Sequence, residues 1–231
     1  MPRTSAEQRR QDYLDIGAAI VAEFDASAAG AAVDALANVK VAEVAERAGV
    51  TKGALYHVWP TQEAYRKDLL ERLLEHSRQS GVRELGELLS DEELTRDPRR
   101  ALREHAEYVF GTLKDDPTFF ARFSFFLYAA DPEVNELLNR GDAAVIEEFT
   151  PFIEGYLELQ GRRIRAPFTV EMLLVSMNAL FHGLCLRYRS SPDLVDKHAL
   201  DDPDGANMYA FGIEALAEHF SEPIEAPNGG T

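Results

Sequence analysis

Four residues between positions 52 and 57 have the types and spacing to engage another molecule. They follow Thr51, a residue type that caps helix N-termini, and they are interspersed with the apolar residues Leu55, Val58 and Trp59. Helical spacing places these apolar side chains on the inner face of a short helix and leaves the other face polar. The outward positions are Lys52, Gly53, Tyr56 and His57. We predict that they meet a DNA major groove or a phosphate group.

A second short helix and a tight turn must hold that polar face in place. Four apolar residues before the turn recur at spacings of three and four, which gives one helix a single buried stripe. They are Val41, Val44, Ala45 and Ala48. Gly49 then supplies the left-handed backbone that side chains with a Cβ resist, and Val50 fills the corner. Two short helices around such a turn are typical of proteins that insert a helix into DNA.

Residues 48–63 resemble the helix-turn-helix of the TetR, or tetracycline-repressor-like, family. The matching pattern is Ala48-Gly49-Val50-Thr51-x-Gly53-x-Leu55-Tyr56-His57-x-Trp59-Pro60-Thr61-x-Glu63. The rest of the chain resembles the family only in architecture, with a long amphipathic helix before the motif and helices after it. The resemblance implies an all-α fold that carries an N-terminal DNA-binding domain and a C-terminal domain for effector binding and dimerisation.

The resemblance also implies that Thr51 and the four outward residues lie along double-stranded DNA with a palindromic operator. Gly53 then permits close backbone approach, and Lys52 donates to guanine edges or to phosphate. Tyr56 and His57 hold phosphates rather than read bases. The alternative is an ordinary helical hairpin with a hydrated polar face. Basic residues near the N-terminus are either a mobile arm on the DNA backbone or solvated charges; they are Arg3, Arg9 and Arg10.

Two positions depart from the family pattern. Lys40 stands where the family usually has the threonine that opens the first helix of the motif, so either Asn38 caps that helix or Lys40 contacts a phosphate. Gln62 stands where a lysine commonly reaches the DNA backbone, and it keeps a donor but loses the charge. The linker 25–36 is longer than the family usually has, and it is rich in alanine and glycine.

The net charge of −16 is the strongest argument against a nucleic-acid partner, because an acidic protein repels phosphate. Residues 1–60 contain six basic and eight acidic residues, a net of −2, so a net of −14 falls in the remainder. Charge farther away than a Debye length of about 8 to 10 Å is largely screened. We therefore expect DNA binding that is sensitive to salt and modest for a single protomer.

Several other classes of protein find little support. No run approaches the roughly 18 to 20 apolar residues that span a bilayer, and the charged N-terminus lacks the apolar middle of a signal peptide, so we expect a cytoplasmic protein. Cys185 is the one cysteine, and its leucine neighbours favour a buried, inert thiol. The six histidines lack HExxH spacing, and no glycine-rich phosphate loop is present. We predict no catalytic residues, no metal and no cofactor.

The pattern predicts two helical domains, residues 1–80 and 81–220, followed by a disordered tail at 221–231. No segment alternates with period two over a useful length, so no sheet is expected. An acid followed by proline marks helix starts, as at Asp97-Pro98 and Asp131-Pro132. Pro151 should kink or split the helix that begins near Asp131.

The segment 168–188 is apolar nearly all round, which predicts a helix covered on two sides. One stripe is assigned to the domain core and comprises Leu173, Met177, Leu180, Phe181 and Leu184. The other is assigned to a second copy of the chain and comprises Met172, Val175, Ala179, Gly183 and Leu186. We therefore expect a two-fold homodimer.

Aromatic residues crowd the segment 119–128, and a helix with rings on every side must be central. In the family, the core of the C-terminal domain encloses a pocket for a small effector, and rings suit a flat or apolar molecule. The candidate effector contacts are His105, Tyr108, Phe123, Tyr128, Asn178 and His182. For each of these, the alternative is a core side chain with satisfied hydrogen bonds.

The sequence thus predicts a transcriptional regulator, most simply a repressor that a small effector releases from its operator. The alternatives are a helical small-molecule-binding protein or enzyme that retains the motif as a scaffold, and an activator or a regulator that answers to a protein partner. Loss of DNA affinity on substitution of Lys52 and Tyr56 would separate the first reading from the second.

Overall fold

The computed structural model describes residues 5–23, 39–89, 92–116, 119–120, 126, 129–196 and 207–224. These residues are mostly helical, which confirms the all-α prediction. The helices are α1 (Ala6–Glu23), α2 (Val41–Arg47), α3 (Lys52–Tyr56), α4 (Gln62–Leu89), α5 (Glu92–Arg96), α6 (Pro98–Leu113), α7 (Pro132–Leu159), α8 (Val170–Ser190), α9 (Pro192–Asp196) and α10 (Met208–Phe220).

The chain divides into two compact units, residues 1–79 with 116–142 and residues 80–115 with 143–231. One dividing point therefore falls at the boundary we expected near residue 80. Residues 116–142, which we assigned to the second domain, group with the first unit. Ion pairs join the start of α7 to α4 within that unit, between Glu133 and Lys67 and, at 3.5 Å, between Arg140 and Glu71.

The core of the first unit forms where α1 and α4 meet the short helices α2 and α3. Gly17 of α1 allows a close approach, because a Cβ there would lie 2.0 Å from the Tyr65 hydroxyl of α4. That buried hydroxyl donates a 3.0 Å hydrogen bond to the carbonyl of Tyr13. The largest fully buried side chains here are Ile20, Val21, Val39, Val41, Leu55, Tyr65, Leu69 and Leu73.

The core of the second unit lies between α6, α8, α10 and the C-terminal part of α7. Ring contacts help to seal it, with Phe110 of α6 stacked at 6.0 Å on Tyr209 of α10. Phe181 of α8 meets both rings edge-on, at 6.2 Å and 5.2 Å. The α8 stripe that we assigned to the core is buried or half-buried, as predicted.

The described residues contain a small sheet, so the expectation of no sheet was wrong. Strands β1 (Arg162–Ile164) and β2 (Ser221–Pro223) pair antiparallel, with Arg163 opposite Glu222. Residues 221–223, which we predicted as part of a disordered tail, thus form a strand. Arg162 secures it by donating to the Ser221 hydroxyl at 2.8 Å and to the carbonyls of Glu218 and Ser221.

Helix α7 runs through Pro151 without a break, so the predicted split does not occur. Proline removes one backbone donor at this point, and the Thr150 hydroxyl makes its own 2.7 Å bond to the carbonyl of Ile146. Asp97 and Asp131 cap α6 and α7 as predicted, and they accept from the backbone amides of Arg100 at 3.1 Å and Glu133 at 2.8 Å.

Candidate nucleic-acid interface

The turn between α2 and α3 is built as the sequence indicates. Val44 and Ala45 of α2 are buried, as is Leu55 of α3, so the two helices share one small apolar interface. Gly49 adopts φ +69°, the left-handed conformation that favours glycine, and its neighbour Val50 donates a 2.9 Å hydrogen bond to the carbonyl of Ala45. The chain therefore reverses within a few residues and presents α3 on the outside of the unit.

Helix α3 is capped as predicted and exposes the expected face. The Thr51 hydroxyl accepts from the amide of Ala54 at 3.3 Å, which satisfies a donor that the helix itself leaves free. All of the predicted DNA-contacting residues are exposed: Lys40, Thr51, Lys52, Gly53, Tyr56 and His57. A Cβ on Gly53 would meet no atom closer than the Thr51 hydroxyl at 3.8 Å, so internal packing does not require glycine there. Because glycine has no side chain, nothing projects from the outer surface of α3 at this position.

Two apolar side chains that we expected to be inside are part of the outer surface. Val50 does not fill the corner, and Val58 does not join the inner face; each is 36% exposed. The inner face of α3 instead ends on Trp59, which is 2% exposed. Val50 and Val58 thus add methyl groups beside the polar residues, and methyl groups of this kind can contact thymine. The short length of α3 explains the error, because helical periodicity is poorly defined over five residues.

Gln62, the first residue of α4, is bonded inside the first unit. Its side-chain oxygen accepts from the amide of Val41 at 2.9 Å, and its side-chain nitrogen donates to the carbonyl of Val39 at 2.9 Å. Lys40 lies between them and makes no side-chain cap bond at the start of α2. Asn38, the other candidate cap, falls outside the described residues. Gln62 therefore gives the start of α2 a side-chain acceptor, for the amide of Val41 and not for the amide three residues after the cap position that a threonine would bond.

The opposite end of the motif is held by Asp68 of α4. Its carboxylate accepts from the indole nitrogen of Trp59 and, at 2.7 Å, from the guanidinium of Arg10 in α1. The Trp59 ring also packs edge-on against Tyr13 at 6.3 Å and Tyr65 at 4.9 Å. The residue that follows α3 is thus fixed by one polar and two aromatic contacts.

Ion pairs decide which cations are available to a phosphate. Arg47 is engaged with Glu23 at 2.6 Å and Glu43 at 2.8 Å, and the pKa of Glu23 is lowered by that partner. Arg10 lies in α1 and is likewise paired with Asp68, at 2.7 Å, so in this structure it is not part of a mobile arm. Within the described part of the helix-turn-helix, Lys40 and Lys52 are exposed and have no acidic partner. The basic character of this face therefore rests on two lysines per protomer.

Comparison with known proteins identifies this arrangement. Residues 25–65 match the family model for bacterial regulatory proteins of the tetR family. The helix-turn-helix is therefore similar to that of the tetR family. No curated protein matches the chain.

Solved structures share this fold over nearly the whole length of the chain. E. coli NemR in its reduced form is 15% identical, with a TM-score of 0.60 over 94% of this chain and 99% of that one. A protein from Rhodococcus sp. assigned to the TetR family of transcriptional regulators is 20% identical, with a TM-score of 0.58 over 91% and 99%. A TetR-family regulator from Cytophaga hutchinsonii is 16% identical, with a TM-score of 0.58 over 97% and 100%. At these identities the likeness establishes the fold.

The predicted effector contacts occupy different environments in this TetR-type second unit. His105 and His182 are half-buried, and burial lowers the pKa of His105. Tyr108 is 60% exposed, and Asn178 is exposed as well. Phe123 and Tyr128 lie outside the described residues.

A polar cavity of about 40 Å³ lies elsewhere in the second unit, with space for little more than a water molecule. Its lining comprises Arg99, Tyr156, Leu157, Gln160, Arg162, Glu214, Ala217, Glu218 and Ser221. Arg103 makes a two-point contact with Glu214, at 3.1 Å and 2.9 Å, beside this space. It is therefore a polar junction of α6, α7 and α10 rather than a site for a flat apolar molecule.

Sequence reasoning missed an aromatic cluster around Lys114, just after α6. The Lys114 ammonium lies 3.8 Å from the centroid of the Tyr188 ring and 2.9 Å from the carboxylate of Asp115. Phe110 completes the group by meeting Tyr188 edge-on at 6.3 Å. Tyr188 lies far from Phe110 and Lys114 in the sequence, so no spacing rule could have predicted these contacts.

The outer face of α8 exposes a row of apolar side chains. Val175 is 53% exposed, Met172 47% and Leu186 42%, with Ala179 and Gly183 exposed between them. This is the stripe that the sequence assigned to a second copy of the chain. By length and composition alone α8 could also cross a membrane, contrary to the sequence-based expectation. Its opposite face, however, is packed in the core of the second unit.

Proposed function

We propose that this protein is a DNA-binding transcriptional regulator, a repressor that leaves its operator when a small apolar or aromatic effector binds. The exposed face of α3 is the observation that carries the proposal. A capped helix with one buried side chain and a fully exposed polar side suits insertion into a major groove. The family match and the fold support a regulatory rather than an enzymatic role.

The exposed stripe of α8 supports a two-fold homodimer. Isolated apolar residues on a surface are ordinary, but a continuous stripe along a helix marks an interface. Ala179 and Gly183 are small enough to let a partner helix approach, and Phe211 of α10 adds a ring that is 43% exposed. A dimer carries two α3 helices and therefore fits a palindromic operator with half-sites about 34 to 36 Å apart. Such a protein acts in the cytoplasm, where its DNA is.

The effector is proposed to bind in the second unit and to act through α4. His105 and His182 are the half-buried candidates for polar contacts, while Tyr108, Asn178, Phe123 and Tyr128 remain candidates from the sequence. Effector binding would favour a conformation in which α4 moves and the two α3 helices no longer match the half-sites. A coupling free energy of about 1 to 3 kcal/mol is enough for a 5- to 150-fold change in DNA affinity.

A titration with labelled duplex tests the DNA-binding proposal. The probe is the double-stranded region upstream of the protein's own gene, followed by fluorescence anisotropy at low ionic strength. Lys52→Ala and Tyr56→Ala should weaken binding, and Tyr108→Ala, which changes an exposed tyrosine of the second unit, should not. Equal affinity of all four proteins would refute the assignment of α3 as the DNA-contacting helix.

Sedimentation tests the dimer. We expect a particle of twice the 25.8 kDa chain mass at micromolar concentration. Val175→Glu should shift it to the monomer, because it places a charge at the middle of the stripe. The control is Leu159→Glu, which changes a residue that is 46% exposed at the end of α7. A dimer that withstands Val175→Glu would place the interface elsewhere.

A further inference from the structure

Helix α4 holds both ends of the helix-turn-helix through polar side chains in its first two turns. Gln62 bonds the backbone on either side of Lys40, and Asp68 bonds the indole of Trp59. Apolar contacts between the same elements are strong but not directional. Hydrogen bonds require a narrow range of distance and angle, so these two side chains fix the orientation that the apolar contacts leave loose.

The Gln62 contact controls the start of α2. The first amides of a helix have no partner within it, and the residue at the cap position, Lys40, offers no side-chain acceptor. Val39 and Val41 are buried, at 0% and 1% exposure. The two hydrogen bonds of the carboxamide therefore lie on either side of Lys40, between two buried neighbours. Gln62 thereby determines where the side chain of Lys40 leaves the surface.

The Asp68 contact controls the end of α3. Trp59 follows the last turn of that helix, and its amide donates a 2.8 Å hydrogen bond to the carbonyl of Leu55. A fixed indole therefore fixes the backbone that carries Tyr56 and His57. Arg10 holds the Asp68 carboxylate from the other side at 2.7 Å, which ties α1 into the same arrangement.

We propose that Gln62 and Asp68 are positioning residues for DNA binding, which set the orientation of α2 and α3 on α4. This inference rests on the proposed function. It assigns Gln62 an indirect role: the residue acts through α2 and Lys40, and its side chain does not take the place of a phosphate-binding lysine. Recognition sites must be held to within about 0.5 Å of their productive geometry, so the loss of either contact weakens DNA binding in a protein that is still folded.

The decisive variants at position 62 are Gln62→Met and Gln62→Lys, titrated with the same upstream duplex between about 50 and 200 mM salt. Gln62→Met keeps the size of the side chain and removes both hydrogen bonds. We expect an affinity loss of about 5- to 10-fold, because hydrogen bonds that each contribute a factor of roughly 2 to 12 no longer hold α2 in its DNA-binding orientation. The dependence of affinity on salt should become shallower, by up to about 0.9 for each Lys40 contact that is lost, because Gln62 acts through Lys40. Gln8→Met, at an exposed glutamine of α1, is the matched control.

Gln62→Lys separates the two roles of this position. A positioning residue loses its acceptor for Val41 in this variant, so affinity should fall or stay below the wild type despite the added charge. A direct phosphate contact predicts the opposite, which is tighter binding with a salt slope steeper by about 0.9 per added contact. Tighter binding by Gln62→Lys would overturn the inference for Gln62.

At position 68, Asp68→Leu removes the acceptor of the indole and Asp68→Asn retains one. We expect Asp68→Leu to lose at least about tenfold in affinity and Asp68→Asn to stay within about threefold, because a neutral amide oxygen still accepts from Trp59. Trp59 is the single tryptophan of the chain, so its fluorescence reports this contact without a label. Wild-type affinity in a folded Asp68→Leu protein would overturn the role of Asp68.

Urea unfolding followed by Trp59 fluorescence distinguishes positioning from stability. A residue that only stabilises the fold shifts the unfolding midpoint and leaves the Kd of the folded protein unchanged. A positioning residue raises the Kd under conditions where every variant is folded. If the wild-type protein binds no duplex, the proposed function fails. If the wild type binds and Gln62→Met and Asp68→Leu bind equally well, the function stands and this inference fails.

Discussion

Gly17→Ala is the substitution whose cost can be worked out most directly from the structure. A Cβ at this position would lie 2.0 Å from the Tyr65 hydroxyl and 3.1 Å and 3.2 Å from the two methyl groups of Leu69. Alanine normally stabilises a helix relative to glycine by roughly 0.5 to 1 kcal/mol. Here, that gain is opposed by overpacking, which typically costs about 1 to 3 kcal/mol, and by the loss of the bond from Tyr65 to the Tyr13 carbonyl. We expect a net destabilisation of about 1 to 3 kcal/mol.

The assay is urea unfolding followed by the fluorescence of Trp59, whose ring packs against Tyr13 and Tyr65. Gly111→Ala is the matched control: this glycine also lies in a helix, but a Cβ there meets nothing within 4 Å. It should stabilise the protein or leave it unchanged. Tyr65→Phe removes the hydroxyl that obstructs the new methyl group, so Gly17→Ala should cost less in that background. A Gly17→Ala protein as stable as the wild type would refute the close approach of α1 and α4.

Two further predictions concern titratable groups of the second unit. Burial lowers the pKa of His105 below its ordinary value of 6.5. Just below that pH, the unfolded chain therefore binds a proton at His105 more readily than the folded chain does. Stability should therefore decline as the pH falls through about 6.5, and His105→Gln should flatten that decline in urea unfolding curves. An equal slope in the variant would exclude His105 as its source. Burial also raises the pKa of Cys185 to about 12, so iodoacetamide at pH about 8 should modify the thiol only in urea, as mass spectrometry can measure. Rapid alkylation of the native protein would mean that the thiol is accessible.

The parts of the fold that the sequence predicted are those set by local pattern. Gly49 and Thr51 determine the turn and the cap through their own backbone and hydroxyl, so nearby residues suffice to predict them. The two stripes of α8 follow from helical spacing over 21 residues, long enough for the period to be clear. Where the element is short the same reasoning failed: Val58, just after α3, was placed on the inner face but is exposed, and three-residue strands such as β1 leave no periodic signal.

The contacts that the sequence could not predict join residues that are far apart along the chain. Gln62 meets Val41 across 21 positions, and Asp68 meets Arg10 across 58. No spacing rule relates such pairs, and at Gln62 the departure from the family pattern indicated only that a donor was kept and a charge was lost. In the structure the carboxamide of Gln62 bonds the backbone on either side of Lys40, whose own side chain makes no cap bond.

The proposed function requires an acidic protein with a net charge of −16 to bind DNA, and the ion pairs of the helix-turn-helix lead to a last prediction about how it does so. Arg47 and Arg10 are held by acidic partners, so within the described helix-turn-helix the available cations are Lys40 and Lys52. A dimer then neutralises about four phosphates, and log Kobs should fall with log salt at a slope of about −3.6. Lys52→Ala removes two of those contacts and should reduce the slope to about −1.8. A wild-type slope near −7 would mean that other cations, such as Arg9 on α1, carry half of the contacts, and Arg9→Ala would then reduce it. A shallow slope instead leaves hydrogen bonds and apolar contacts from α3 to supply most of the proposed affinity for DNA, and the orientation of that helix would then determine how tightly the protein binds.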